Sequence, residues 1–263
     1  MLSDAPVWDP VQYNRFQAQR DRPAFDLLLR LPEDLAPREI WDVGCGTGHH
    51  AAMLKRRWPD AAVHGLDSSA AMLNEARALP DAVEWIEGDL TTWAPSRPVD
   101  LMLANASLQW APDHRALFAT LCGGLASGGV LAVQMPLAWE TRHHALMRQT
   151  ASEGVWRDRL RGVDTIAPLL DPDVYYDVLA KYCDDIDIWS TTYLQVLDGE
   201  NAVLEWMKGT ALRPYLSALE GDAELSAAFL SSLSARLGAA FPRRPDGVTL
   251  LPFPRLFLTA RRR

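Results

Sequence analysis

The chain has 263 residues, of which 48% are hydrophobic, and its 34 acidic and 26 basic side chains give a formal net charge of −8. This length suits one large domain with a sizeable core, and no apolar run reaches the ~18–20 residues that cross a bilayer. The first ten residues lack the features of a secretory signal, and an acidic chain lacks the clustered positive charge that binds nucleic acid. We therefore expect a cytoplasmic protein with neither a membrane nor a nucleic-acid partner. Its three widely spaced cysteines, Cys45, Cys122 and Cys183, fit reduced thiols better than a disulfide framework or a metal site.

The first half of the chain alternates between short apolar runs and amphipathic segments. The predicted strands span residues 38–44, 61–67, 82–88, 99–105 and 130–135. The predicted helices between them span 48–58, 70–79 and 114–126. Asp113 is placed to cap the last of these helices, and Pro59 and Pro80 end the first two. Alternation of this kind is typical of right-handed βαβ units, with a parallel sheet covered by helices on both faces.

In the second half of the chain, strands and helices no longer alternate regularly. Predicted helices span 139–156, 173–182 and 201–238, the last interrupted by Gly209 and Pro214. A long strand is predicted over 184–197, because the segment alternates there with period two, at Ile186 and Ile188 and then at Thr192, Leu194 and Val196. A closing strand is predicted over 249–262, and prolines near its start suit an edge or bulged strand.

The first strand runs directly into a glycine-rich turn, Asp42-Val43-Gly44-Cys45-Gly46-Thr47-Gly48. Glycines at every second position let the backbone turn sharply and approach a ligand closely. The pattern lacks the extra residue of the G-x-G-x-x-G turn, which in nicotinamide and flavin folds shapes a helix N-terminus for a pyrophosphate. The tighter turn therefore indicates a ligand without phosphates.

Polar residues follow the next three strands where each strand ends. Asp67 ends the second strand, 19 residues past Gly48, where a carboxylate can accept hydrogen bonds from two ribose hydroxyls. Asp89 ends the third strand and can accept from an adenine amino group or simply cap the strand end. The fourth strand ends in the segment 105–110. Carboxyl ends of parallel strands are where open α/β sheets bind ligands.

This combination resembles the class I S-adenosylmethionine-dependent methyltransferases. The resemblance implies a Rossmann-like α/β fold, with a mixed seven-stranded sheet, helices on both faces and a helical substrate cap. It implies S-adenosyl-L-methionine as cofactor, released as S-adenosyl-L-homocysteine, and no metal. The residues expected to bind it are Asp42, Gly44, Cys45, Gly46, Gly48, Asp67, Ser68, Asp89, Leu90, Asn105, Ala106, Ser107 and, from an N-terminal segment, Gln17. A nicotinamide-binding Rossmann domain is the alternative.

A narrower resemblance, to the trans-aconitate 2-methyltransferase family, extends over nearly the whole chain. The segments that indicate this family lie after Pro136, since the glycine turn is common to the superfamily. The matching stretches are 8–10, 20–24, 42–48, 65–69, 104–110, 129–136, 175–177, 187–189, 191–193, 212–214 and 253–257. Two departures are His49-His50, where such enzymes tend to have small polar residues, and the poorly matching segment 154–167.

The family resemblance implies O-methylation of a carboxylate of trans-aconitate to a monomethyl ester. Carboxylic acids have pKa values near ~4, so the nucleophile is already ionised and needs no general base. The remaining carboxylates of a small anionic acid require arginine, which binds them bidentately. The candidate arginines are Arg20, Arg22, Arg142, Arg148, Arg213 and Arg255. Of these, we expect Arg213 first, then Arg148 and Arg22, to bind the substrate. Aromatic partners are Tyr176, Trp139 and Tyr193, and Tyr13 and Trp110 are expected to position the reactants. Each also has a structural reading, as a surface arginine, a core aromatic residue or part of an amphipathic helix.

We expect a single methyltransferase domain over residues 1–263. Its parts are an N-terminal lid and first helix (1–36), a cofactor-binding half (37–136), a helical substrate cap (137–183 and 198–247) and closing strands (184–197 and 249–262). We expect a monomer or a weak homodimer. The alternatives are a carboxyl methyltransferase for another small acid or a carrier-bound malonyl group, and a cofactor-binding regulatory module without catalysis.

Overall fold

The computed structural model describes residues 17–163 and 167–263, with side chains from residue 21 onward. Its elements, in chain order, are α1 (Gln17–Leu28), β1 (Glu39–Val43), α2 (His49–Arg57), β2 (Ala62–Asp67), α3 (Ala70–Ala76), β3 (Glu84–Glu87), β4 (Val99–Asn105), α4 (His114–Gly123), β5 (Leu125–Pro136), α5 (Arg142–Ser152), α6 (Pro172–Leu179), β6 (Cys183–Asp198), α7 (Ala202–Lys208), α8 (Arg213–Ala218), α9 (Ala223–Ala240) and β7 (Val248–Arg262). A 3₁₀ turn, Leu108–Trp110, follows β4. Among the described residues, no helix combines the length and the apolar character that spanning a bilayer requires.

The seven strands form one mixed sheet in the order β3-β2-β1-β4-β5-β7-β6. Strands β1 to β5 pair in parallel with their neighbours, and β7 runs antiparallel to β5. β1, β4 and β5 are almost continuously buried, as expected for strands covered on both faces. The predicted fold class, a Rossmann-like α/β fold with a mixed seven-stranded sheet, is confirmed. The strand order reverses between β1 and β4, which is where such sheets open a crevice for ligands.

The chain divides into two compact units. The sheet unit contains Gln17–Pro136, Leu169–Thr191 and Arg255–Arg263, and the helical unit contains Leu137–Pro168 and Thr192–Pro254. Helices α1 to α4 and α6 lie in the sheet unit, whereas α5, α7, α8 and α9 lie in the helical unit.

In the sheet unit, α6 packs on α4 through aromatic side chains. Tyr175 is 1% exposed, its hydroxyl lies 2.5 Å from His114 Nδ1, and its ring centroid lies 5.0 Å from that of Phe118. Burial lowers the pKa of His114, so the imidazole is neutral at pH 7. The contact is therefore a neutral polar pair sealed inside an apolar interface.

In the helical unit, the core forms around Phe229 of α9. Its ring meets Trp156 edge-on, with centroids 5.5 Å apart, and stacks with Tyr215 of α8 at 6.1 Å. The indole of Trp156 donates a hydrogen bond to the Thr150 carbonyl over 2.7 Å. Aromatic burial of this kind contributes both area and fixed ring geometry to a small helical core.

The boundary between α4 and β5 differs from the prediction. The helix ends at Gly123, and the strand begins at Leu125, so the predicted helix end at residue 126 and strand start at residue 130 are wrong. Leu125 pairs with Val99, and the pairing shifts register before Leu101. A side chain at Gly129 would come within 2.7 Å of the Val99 carbonyl, so the glycine permits this irregular pairing inside the strand.

The predicted interruption of the helical segment at Gly209 and Pro214 is observed. Helix α7 ends at Lys208 with Gly209 as its C-cap, and Pro214 lies in the first turn of α8, where its missing N–H needs no acceptor. The prediction of an edge position for the closing strand is wrong, since β7 lies between β5 and β6. Pro252 and Pro254 precede Arg255, which forms the last register pair with β5, so they remove no ladder hydrogen bond from that pairing.

The long strand β6 exists as predicted, but its covered side changes along the strand. Ile186 and Ile188 are partly buried on either side of the exposed Asp187, and the alternation is reversed in the second half. Leu194 and Val196 are 52% and 51% exposed, whereas Tyr193 and Leu197 are buried. Alternation with period two indicates that one face of a strand is covered, but it does not show which face.

Candidate active site

The glycine turn after β1 brings backbone, not side chains, to the carboxyl end of the sheet. Gly44, Gly46 and Gly48 have φ angles of +79°, +55° and +82°, which favour glycine. A Cβ at Gly44 would lie 2.2 Å from Ser107 Cβ, whereas a Cβ at Gly46 would meet nothing within 4 Å. The turn is therefore pressed against the end of β4 at Gly44 and open at Gly46.

Asp67, at the end of β2, ties this turn to the neighbouring strand. Its Oδ2 accepts a hydrogen bond from the Gly46 amide over 2.8 Å, and its Oδ1 accepts from the Ser69 amide over 2.9 Å. Ser68, between them, is exposed. A carboxylate accepts about four hydrogen bonds in all, so Asp67 retains capacity to accept from a ligand. Partial burial raises the pKa of Asp67.

Asp42, near the end of β1, is only 1% exposed. Burial raises its pKa to about 6, the negative charge of Asp67 adds to the effect, and His50 opposes it. Among the described residues, no hydrogen-bond donor reaches Asp42 Oδ2. His50 in turn lies 3.1 Å from Asp21 of α1. The turn is therefore lined by one buried acceptor with unused capacity.

Asp89, after β3, caps a turn. Its Oδ1 accepts from the amide and the hydroxyl of Thr91, over 2.8 and 2.7 Å, and the residue is exposed, with Leu90 partly buried. Asp89 therefore acts as a cap, which is the structural alternative that the sequence predicted for it. Its Oδ2 accepts no hydrogen bond from the described residues and is available to a ligand.

The end of β4 has an unusual backbone. Ala106 has a φ of +54°, a strained conformation for a residue with a side chain, and its amide donates to the Gln134 carbonyl over 2.9 Å. Ser107 donates from Oγ to the Val43 carbonyl over 2.5 Å. Asn105 is buried, and its Oδ1 accepts nothing from the described residues. Trp110, in the turn that follows, is partly buried.

The structure thus brings the predicted cofactor residues together on four adjacent strand ends. Cys45 is buried inside the turn, with its amide donating to Leu66, and burial raises the pKa of its thiol. Gln17 begins α1, but its side chain, like all of Tyr13, lies outside the described residues. Across the described chain, no cluster of three or more His, Cys, Asp or Glu could hold a metal ion.

The predicted substrate residues are divided between the two units. Arg22, on α1, and Tyr176, on α6, are exposed in the sheet unit. In the helical unit, Arg148 lies 3.9 Å above the Trp139 ring and donates to the Trp139 carbonyl over 2.7 Å. The same unit holds Arg213, partly buried at the start of α8, and Tyr193, which is 3% exposed.

Sequence reasoning missed Trp85 of β3. A Cβ at Gly48 would lie 2.4 Å from this indole, and one at Gly65 would lie 2.6 Å from it. The indole therefore supports the glycine turn and the Gly65 segment of β2. No local pattern in the sequence signals this role, because the contact depends on the pairing of β2 with β3.

Comparison with known proteins identifies relatives of this chain. The methyltransferase-domain family matches residues 40–129. A trans-aconitate 2-methyltransferase of Azoarcus sp. is 49% identical over 97% of this chain and 99% of its own length, and one of Acidovorax ebreus is 45% identical over 97% and 98%. The structure of phosphoethanolamine N-methyltransferase 2 of Haemonchus contortus with S-adenosyl-L-methionine superposes with a TM-score of 0.58 at 16% identity, over 96% of this chain and 56% of that one.

The fold, the methyltransferase-domain match and the named relatives define a class I methyltransferase. Within that class, identity of this level over the full length decides the family. The chain belongs to the trans-aconitate 2-methyltransferase family.

Proposed function

We propose that this protein methylates a carboxylate of trans-aconitate with S-adenosyl-L-methionine, giving a monomethyl ester. The observation that carries the proposal is the 49% identity to a trans-aconitate 2-methyltransferase over 97% of the chain. That similarity extends well beyond residues 40–129, the part shared with methyltransferase domains in general. It therefore includes the segments predicted to cover the substrate.

The residues at the four strand ends fit the cofactor. Asp67 has acceptor capacity for ribose hydroxyls, Gly46 leaves its backbone open, and buried oxygens of Asp42 and Asn105 have no donor among the described residues. When bound, S-adenosyl-L-methionine supplies a methyl group on a positively charged sulfur; transfer to a carboxylate oxygen forms an O–C bond, breaks the S–C bond and leaves the electron pair on sulfur. No proton moves, so the chain needs to align the reactants and exclude water.

The substrate assignments remain part of the proposal. Arg213, Arg148 and Arg22 would pair with carboxylates, Tyr176, Trp139 and Tyr193 would line the acid, and Tyr13 and Trp110 would position the reacting groups. We also propose the substrate cap over residues 137–183 and 198–247, a cytoplasmic location and a monomeric or weakly dimeric state.

The reaction is tested with radiolabelled S-adenosyl-L-methionine and trans-aconitate. We expect a labelled product that releases its label in mild alkali, as an ester does. Labelling of a different acid, or of a malonyl group only when it is attached to a carrier protein, would overturn the substrate assignment. Cofactor binding without turnover over a panel of small acids would support a regulatory module instead.

The cofactor is tested by thermal unfolding. A ligand that binds only the folded protein stabilises it by about 2.7 kcal/mol at a hundredfold excess over Kd. We expect S-adenosyl-L-homocysteine to raise the Tm and a nicotinamide dinucleotide to leave it unchanged. The reverse result would favour the alternative, a nicotinamide-binding Rossmann domain.

Arg213→Ala tests the first of the predicted substrate arginines. Loss of a hydrogen bond to a charged group costs about 1.5–3 kcal/mol, or roughly 10- to 100-fold in binding. We expect the KM for trans-aconitate to rise by that factor and the KM for the cofactor to stay within about twofold. Arg243→Ala is the matched control, because it removes the same charge from an exposed position of the same unit. Equal effects on both KM values would remove Arg213 from the substrate site.

A further inference from the structure

A row of buried polar side chains crosses one face of the sheet unit at the carboxyl end of its parallel strands. Asp42 of β1 pairs with Leu103 of β4, and Asn105 lies two residues further along the same strand. Asn105 pairs with Gln134 of β5. Residues at i and i+2 of a strand, and residues paired across strands, share a face, so Asp42, Asn105 and Gln134 form one row.

Gln134 is the most enclosed member of this row. It has no exposed surface, and among the described residues neither its Oε1 nor its Nε2 has a hydrogen-bond partner. Buried amides are almost always hydrogen-bonded, because an unmade bond destabilises the fold. A fully buried glutamine with both amide atoms unused therefore points to a ligand.

Arg255 continues the row onto β7. It pairs with Pro136, and Phe257 pairs with Gln134, so Arg255 is the diagonal neighbour of Gln134 on the same face. Diagonal neighbours lie about 7–8 Å apart, within reach of long side chains. At 4% exposure, Arg255 is the only lysine or arginine that is buried among the described residues. A guanidinium held at such a depth suits a carboxylate, which it binds bidentately.

The order of the strands shows that the row runs from the proposed cofactor site toward β5 and β7. In the proposed cofactor site, Asp89 follows β3, Asp67 ends β2, the glycine turn follows β1 and Asn105 ends β4. The next strands along the sheet are β5 and β7, each about 4.8 Å further. A group that receives the methyl at the β4 end of the cofactor would lie over β5.

We infer that Gln134 and Arg255 form the acid-binding subsite of the sheet unit, an inference that rests on the proposed function. Gln134 donates from Nε2 to the carboxylate that accepts the methyl. Arg255 pairs with the carboxylate on the saturated arm of the same acid, the one that mesaconate lacks. A neutral amide orients the accepting carboxylate without cancelling its negative charge, whereas a guanidinium beside it would weaken the nucleophile. Gln134 is thus a positioning residue, and Arg255 selects for a polycarboxylate.

The experiment titrates trans-aconitate into protein saturated with S-adenosyl-L-homocysteine, which has no methyl group to give, and measures the Kd by calorimetry. Gln134→Met, an unbranched replacement, is expected to raise the Kd for trans-aconitate at least tenfold. The Kd for S-adenosyl-L-homocysteine should change less than threefold. The Tm without ligand should stay or rise, because an apolar side chain replaces an unpaired buried amide.

Arg255→Met is expected to raise the Kd for trans-aconitate at least tenfold but to change little for mesaconate, which lacks the third carboxylate. Arg255→Lys, which keeps the charge without the bidentate fork, should also bind trans-aconitate more weakly, and it serves if the methionine variant does not fold. Thr259→Val is the matched control: Thr259 is buried on the same face of β7 but pairs with Ala132, further from the carboxyl end. Its Kd values should stay within twofold.

A Gln134→Met variant with a lower Tm and an unchanged Kd for the acid would make Gln134 a purely structural residue. A rise in the Kd for S-adenosyl-L-homocysteine equal to that for the acid would assign it to the cofactor. Either result overturns the inference alone. Wild-type protein that binds S-adenosyl-L-homocysteine but not trans-aconitate would overturn the proposed function, and the subsite with it.

Discussion

Gly44 and Gly46 lie two residues apart in one turn, but a side chain would meet different surroundings at each. Both have left-handed φ angles, +79° and +55°, so alanine costs about 1–2 kcal/mol of strain at either position. We expect Gly46→Ala to keep the fold and to lose at least tenfold in affinity for S-adenosyl-L-homocysteine, because its methyl group enters the open side of the turn. Gly44→Ala should lose affinity and also lower the Tm, because its Cβ would displace Ser107.

Calorimetry and thermal unfolding measure both effects. The control is Gly199→Ala, since Gly199 has a φ of +93° and open surroundings in a turn after β6. It carries the strain without the proposed ligand contact. Equal affinity in the Gly46 and Gly199 variants would contradict a cofactor approach over Gly46.

Asp42 makes stability depend on pH. Burial raises its pKa from 3.8 to about 6, so the acid is protonated in both the folded and the unfolded state below about pH 3.8. Between about pH 3.8 and 6 the unfolded chain releases this proton while the folded protein keeps it, so stability falls, and about 3 kcal/mol has been lost once the pH has risen through 6. We expect Asp42→Asn to lack this loss and to exceed the wild type in free energy of unfolding at pH 7.5 more than at pH 4.5. Urea unfolding at the two pH values measures it, and parallel pH profiles would exclude a raised pKa.

At the scale of elements, the contact between α4 and α6 combines aromatic packing with one buried polar pair. Tyr175→Phe removes the hydroxyl that lies 2.5 Å from His114 Nδ1 and leaves a buried ring nitrogen without that partner. We expect the free energy of unfolding to fall by about 1–2 kcal/mol, as measured by urea unfolding. Tyr176→Phe is the matched control, because the adjacent tyrosine is 53% exposed and its loss should cost less than about 0.5 kcal/mol. Similar losses in both variants would show that α6 does not depend on this pair.

For the whole molecule, a net charge of −8 opposes a substrate that bears about three negative charges. Net charge cannot steer such an acid, so local arginines and the positive sulfur of the cofactor must attract it. Raising NaCl from 0.05 to 0.5 M shortens the Debye length below ~10 Å and screens that local attraction. We expect the KM for trans-aconitate to rise several-fold while the KM for the cofactor changes less. A KM for the acid that falls with salt would mean that overall repulsion dominates.

Much of the sheet unit could be predicted from local patterns. Strand β4 has its predicted bounds, Val99–Asn105, and Asp113 caps α4 by accepting from the Ala116 amide, as predicted. Such features depend on neighbours within a few residues, which the sequence contains directly. The α4–β5 boundary failed for the opposite reason, since Leu125 joins the sheet only through its partner Val99.

The sequence by itself determined the class of protein, because the spacing of Asp42, the glycine turn, Asp67 and Asp89 fixes three strand ends at one edge of a parallel sheet. The net negative charge argues against nucleic-acid binding. It also means that a local positive side chain must bind the anionic substrate. Only the tertiary structure decided where one lies. Gln134 sits in an apolar strand and has no local signal, and the sequence named Arg255 only as one of six candidate arginines, behind Arg213, Arg148 and Arg22. The two become neighbours because β5 and β7 pair in one register, and register is set by packing across the sheet rather than by residues adjacent in sequence.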